Sequence, residues 1–149
     1  MEIWKKIPNF SRYEASTLGN IRSLNYKNSG QTKILKPANS GGYHKTMLLA
    51  DNGKYYSWTV HLFIAITFIG EKQNGFEINH KDCNKTNNAV SNIEYCTRSE
   101  NLKHAYDNNL ITPKVGSSNG MAKLSEQDVI EIREHAKNNT GRYYGRKQL

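Results

Sequence analysis

One stretch narrows the possible folds of this chain more than any other. Over residues 78–104 a short apolar run ends at His80, and an Asn/Asp-rich loop follows. A strand-like segment then opens at Asn92, and Thr97-Arg98-Ser99-Glu100 has the form of a Thr-x-x-Glu capping box. A capping box begins a helix, predicted here to run to about residue 108 or 109. Strand, loop, strand and helix in that order can bring one histidine and several amide oxygens towards a single point. The helix start carries Asn101. There, unpaired N–H groups and the positive end of the helix dipole favour an anion.

The surroundings of that stretch are basic. The 149 residues carry a net charge of +8, and the distribution is uneven. Residues 1–60 hold nine Lys/Arg against three acids, whereas residues 61–149 hold twelve against ten. The N-terminal part therefore reads as a surface for a polyanion. Nothing approaches the roughly 18 consecutive apolar residues of a membrane span. The start, Met-Glu-Ile-Trp-Lys-Lys, lacks the apolar core of a signal peptide. A soluble, intracellular protein with no membrane partner is expected, with a monomer as the default. Cys83 and Cys96 are too few for a disulfide framework and have no Cys-x-x-Cys spacing, which argues against a zinc-stabilised interaction domain.

An α+β organisation in four parts follows. Residues 1–59 form a basic β-rich module, a small antiparallel sheet with strands predicted at 3–7, 12–16, 19–24, 33–36, 43–49 and 54–60. Asp51-Asn52-Gly53 marks the clearest hairpin. Arg12, Arg22, Lys33, Lys36 and Lys45 lie among its aromatic residues as candidate phosphate contacts, and Arg98 and Lys103 flank the start of the later helix. Residues 60–110 begin with the apolar run 60–69. Its length and the following Gly70 favour a short helix, and the strand–loop–strand–helix unit comes after it. Residues 111–122 read as a linker. Residues 123–149 read as a helical segment capped at Ser125, with Val129, Ile132 and Ala136 on one face. The ending at 142–149 looks like the opening of a further helix.

At these residues the chain resembles the HNH endonucleases of phages, especially the free-standing and intron-encoded kind. Val60-His61-Leu62, Phe68-Ile69, Asn79-His80-Lys81-Asp82, Asn84-Lys85-Thr86-Asn87-Asn88, Asn92-Ile93-Glu94-Tyr95 and Glu100-Asn101 follow that pattern in order and spacing. Glu2 to Pro8, Tyr13 to Ser16 and Leu18 to Ser23 resemble the small module that often precedes such domains. Asn119 to Ser125 and the helix after it resemble the entry to an incomplete helix-turn-helix.

The resemblance implies a ββα-metal (His-Me finger) nuclease domain holding one Mg²⁺ or Mn²⁺ per active site. His80 matches the general base, Asn92 the residue that braces the loop between strands, and Asn101 the last position of the family name. Asn79 and Asn101 match the metal-ligand positions. Two amides bring no formal charge, so the scissile phosphate is expected to complete the site. One base and one metal cut one strand, so the enzyme is expected to nick, leaving 3′-hydroxyl and 5′-phosphate ends. The alternative is a catalytically decayed DNA-binding module. Asp82 is read as capping the Asn-rich loop, with metal recruitment in place of Asn79 as its other reading. Asn84, Asn87 and Asn88 are read as shaping that loop. His61 has three open roles: buried, supporting the site, or touching a phosphate. His104, one turn after Asn101, is a further candidate near the metal.

Overall fold

The computed structural model describes residues 1–138, so the helix opening expected at 142–149 lies outside the described residues. Residues 1–110 form one compact unit, and a second unit begins at Ile111.

The first unit is α+β, built from three small antiparallel sheets and two helices. β1 (Trp4–Ile7), β2 (Phe10–Ser16), β3 (Ile21–Ser23) and β4 (Lys33–Ile34) make a sheet in sequence order. β5 (Ala38–Ser40), β6 (Tyr43–Leu49) and β7 (Tyr55–Thr59) make another. The single N-terminal sheet expected from the sequence is thus two. The break falls at Leu35–Pro37, where Pro37 has no N–H to offer a ladder.

Turn chemistry sets the hairpins. Asp51, Asn52 and Gly53 link β6 to β7, with Ala50 N–H donating to Lys54 O and Gly53 at φ 78°. That left-handed residue suits a three-residue loop and costs glycine little. Asp51 also accepts from the backbone N–H of Ser11 at 3.0 Å and from its hydroxyl at 2.6 Å, tying the two sheets together.

α1 (Val60–Phe68) is apolar on every side because every side is in use. Val60, Phe63, Ile64 and Ala65 are buried with Ile7, Phe10, Ala15 and Ile21 of the first sheet, Leu48 of the second, and Ile93 of the hairpin that follows. Phe10 meets Phe63, Trp58 and Tyr56 edge-on at centroid separations of 5.3, 5.7 and 5.8 Å. Several N-terminal aromatics that could stack on bases are therefore core. One hydrophobic cluster runs across position 60, so the nuclease-like segment and the N-terminal module share a core.

β8 (Phe76–His80) and β9 (Ile93–Thr97) form a two-stranded sheet, and α2 (Arg98–Asp107) starts directly from β9. The Thr97 hydroxyl accepts from Glu100 N–H, and the Glu100 carboxylate accepts from Thr97 N–H at 2.7 Å, which completes the capping box. In the second unit, α3 (Glu126–Asn138) is capped by Ser125, whose hydroxyl accepts from Asp128 N–H at 3.2 Å. Glu126 accepts from Ser117, whose neighbours form a short 3-10 turn, Gly116–Ser118.

Candidate active site

The site is built at the C-terminal end of β8. Along β8 and β9 the register pairs Glu77 with Cys96, Asn79 with Glu94 and His80 with Ile93. Side chains alternate across a strand, so Glu77, Asn79, Glu94 and Cys96 share one face, and Ile78, His80, Ile93 and Tyr95 the other.

His80 is buried, at 6% exposure, on the α1 side. Its ring lies 5.0 Å from that of His61 and 6.1 Å from that of Tyr43. Its Nε2 makes a long contact of 3.5 Å with Asn88 Oδ1. The Asn88 amide is oriented by its other end: Nδ2 donates to Thr86 O at 3.1 Å, a carbonyl that can only accept, and approaches His44 Nδ1 at 3.4 Å. Oδ1 therefore faces His80 as an acceptor. This assigns the His80 proton to Nε2 and leaves Nδ1 as the basic nitrogen. Burial lowers the His80 pKa below the ordinary imidazole value, against the opposing pull of Asn88 and Asp82. A neutral imidazole at physiological pH follows.

His61 packs its ring edge-on against His80, 5.0 Å away. Burial, and secondarily His80, push its pKa down to about 4. It therefore stays neutral at physiological pH and adds no charge beside His80. Its Nε2 contacts the Thr59 hydroxyl at 2.9 Å, while Nδ1 is buried without a partner among the described residues.

The loop from Lys81 to Asn92 is held by amides. Asn92 is 8% exposed; its Oδ1 accepts from Asp82 N–H at 3.0 Å, and its Nδ2 donates to Asp82 Oδ1 and Asn87 O, both at 2.8 Å. Asn87 Nδ2 donates to the second Asp82 oxygen at 2.6 Å. Both oxygens of Asp82 are thus committed to the loop, which holds its carboxyl below the usual range. His104 Nε2 stands 3.2 Å from Lys81 O and 4.0 Å from Cys83 Sγ, strapping the same loop to α2.

The second face carries the ligand candidates. Asn79, at 7% exposure, donates from Nδ2 to Glu94 Oε1 at 3.1 Å. The capping box satisfies the helix start, so the Asn101 side chain is released from capping and donates from Nδ2 to Glu77 Oε2 at 2.6 Å. A carboxylate accepts only, so each amide nitrogen must face its glutamate, and each Oδ1 is left without a partner among the described residues. Two free amide oxygens suit a hard cation such as Mg²⁺. The face is also electronegative: burial, and then Glu94, Glu100 and Glu77, raise the Cys96 thiol pKa. The nearest cation to Glu94 is Lys81, loosely placed at 3.7 Å.

The expected phosphate contacts fall into two groups. Arg12, Lys36 and Arg98 are exposed. Lys45 is half-buried in β6, Lys33 lies over the Tyr26 ring at 4.5 Å, and exposed Lys103 pairs with Asp107. Arg22 differs. Its guanidinium pairs with Glu14 at 2.6 Å and stacks on Trp4 at 4.2 Å, so its charge is spent inside the sheet.

Sequence reasoning missed Glu77, Glu94, His44 and the contact made by Asn88. Alternation from His80 places Glu77 beside Asn79, a signal that was available. The other three need the strand register or the packing of the N-terminal module.

Residues 2–48 match the NUMOD4 motif, and residues 59–103 match the HNH endonuclease family. An uncharacterized HNH endonuclease, L247, of Acanthamoeba polyphaga mimivirus is 38% identical over 115 residues, which is 74% of this chain and 28% of that protein. The chain spans under a third of the length of this relative and of a second mimivirus one. The DNA endonuclease I-HmuI of Bacillus phage SP01 is 30% identical over 130 residues, covering 87% of this chain and 71% of that protein. A solved structure described as DNA binding and cleavage by the HNH homing endonuclease I-HmuI superposes with a TM-score of 0.63 at 26% identity, over 91% of this chain and 66% of that one.

Proposed function

The chain belongs to the HNH endonuclease family, in its phage homing branch, and from that premise we propose that it is a divalent-cation-dependent DNA endonuclease that nicks. It hydrolyses one phosphodiester bond per active site and leaves 3′-hydroxyl and 5′-phosphate ends. It works as a monomer in the host cytoplasm. The observation that carries this reading is the end of β8, where successive residues are each held from one end: His80 at Nε2 by Asn88 and Asn79 at Nδ2 by Glu94, while no described residue pairs with His80 Nδ1 or Asn79 Oδ1.

His80 Nδ1 accepts a proton from the attacking water, and Asn88 holds the opposite ring nitrogen so that the lone pair keeps its direction. His61 and Tyr43 wall the ring from solvent and keep it neutral. Asn92 fixes the loop that carries Lys81 and Asp82 past the site. Asn79 and Asn101 are the residues that would hold the cation, through Oδ1. A bound Mg²⁺ or Mn²⁺ would there offset charge on the phosphate in the transition state and on the departing 3′ oxygen. Arg12, Lys33, Lys36, Lys45, Arg98 and Lys103 are the phosphate contacts in this reading, while Arg22 braces the sheet.

The test is a supercoiled-plasmid assay with Mg²⁺ or Mn²⁺, run beside EDTA and His80→Ala. Open-circle product lost in both controls is the expected result. Cleavage that survives both sinks the proposal. DNA retained on a gel with no cleavage at any divalent cation would instead identify a decayed binding module.

A further inference from the structure

An amide pair alone is a poor cage for a divalent cation, because it contributes no charge. Each of the two amides nevertheless ends on a carboxylate: Asn79 on Glu94 at 3.1 Å and Asn101 on Glu77 at 2.6 Å. The arrangement follows from register. Asn79 and Glu94 are directly paired across the ladder, and Glu77 sits two residues before Asn79 on the same face. The capping box at Thr97 then fixes α2 so that Asn101 reaches Glu77.

We propose that Glu77 and Glu94 are positioning residues for the cation. Their carboxylates grip the two NH₂ groups, aim both Oδ1 atoms outward, and supply the two negative charges that the amides lack. This rests on the endonuclease reading above and deepens it. The carboxylates act through the amides, as outer-shell partners do in metal sites. Glu77 has no salt-bridge partner among the described residues, and Glu94 has only Lys81 at 3.7 Å. Charge on this face is therefore left largely uncompensated in a chain of net charge +8. Such a face repels a phosphate until a cation sits on it, so cation and DNA bind cooperatively.

The test measures Mn²⁺ binding to the full chain without DNA, by loss of the free-Mn²⁺ paramagnetic signal. The variants are Glu77→Gln, Glu94→Gln, the double variant and Asn79→Ala, with exposed Glu71→Gln as control. Glutamine keeps an acceptor oxygen for the amide and removes the charge, so the fold is retained, and thermal melting without metal verifies that. Each single Gln variant should weaken Mn²⁺ binding by about tenfold, and the double variant by more. Nicking by these variants should return at raised Mn²⁺. Asn79→Ala should also lose Mn²⁺, and Glu71→Gln should not. Unchanged Mn²⁺ affinity in the double Gln variant overturns the proposal. So does full affinity in Asn79→Ala, which would make the carboxylates the ligands themselves. If the wild type neither binds Mn²⁺ nor nicks, the endonuclease reading fails with it; if the wild type does both and only the Glu variants are silent, this inference fails alone.

Discussion

The backbone of Gly19 lies directly against that of Asn88. A Cβ on Gly19 would stand 2.5 Å from the Asn88 carbonyl carbon, and Gly19 has φ +86°. Alongside this seam, Val90 N–H donates to Thr17 O at 3.0 Å. The turn between β2 and β3 is thus pressed onto the loop that supplies the partner of His80.

Gly19→Ala is therefore expected to hurt twice, through the disfavoured φ and through the clash with backbone. A loss of about 1–3 kcal/mol is expected in urea denaturation. Nicking at a temperature where the variant is still folded should fall as well, because Asn88 must shift. Wild-type nicking by the folded variant would show that the seam does not reach His80.

Asn88 sets the proton position on His80, and Asn88→Asp keeps an acceptor while adding a charge. For the wild type, burial lowers the His80 pKa, so the acid limb of the rate profile should lie below the ordinary value of about 6.5. The added carboxylate favours imidazolium and should move that limb up by about 1 unit or more. Single-turnover rates between pH 5 and 8 check this. A limb that does not move would remove Asn88 from contact with the base.

His61 couples stability to pH. Its folded pKa is pushed down to about 4, below the 6.5 of an unfolded imidazole. Between these values the unfolded chain binds more protons, so the His61 contribution is fully present above about pH 6.5. It is lost as pH falls towards 4. Chemical denaturation at several pH values should show that decline, and His61→Phe should flatten it. An equal decline in the variant would assign the effect to other groups.

Arg22 and Arg12 should separate sheet stability from DNA affinity. Arg22→Ala removes the ion pair to Glu14 and the stack on Trp4, and is expected to lower the melting temperature. Arg12→Ala should leave melting unchanged and reduce the slope of log affinity against log salt by about 0.9 if the residue meets one phosphate. The reverse pattern would exchange their roles.

Local signals were the legible ones. The capping box is four residues long, and the 43–49 strand was readable to its ends because Asp51-Asn52-Gly53 closes its hairpin. β5 was not readable: Ala38–Ser40 is short, exposed and without apolar alternation. The division into two sheets turns on Pro37 and on pairings that periodicity does not encode. At the site, the chain order of His80, Asn92 and Asn101 carried the reading. The partners did not show, because Asn88 meets His44 across 44 residues and Asn101 meets Glu77 across 24. Such contacts depend on register and packing, which no local window contains.

A two-stranded ribbon is marginal by itself in water, yet here one carries His80, Asn79 and the start of α2. Its stiffness is borrowed from α1, whose other sides are buried in the two N-terminal sheets. Transplanting residues 60–110 onto another N-terminal module would strip that helix of most of its cover. The two N-terminal sheets and the ribbon that carries His80 therefore keep their shape only as one piece.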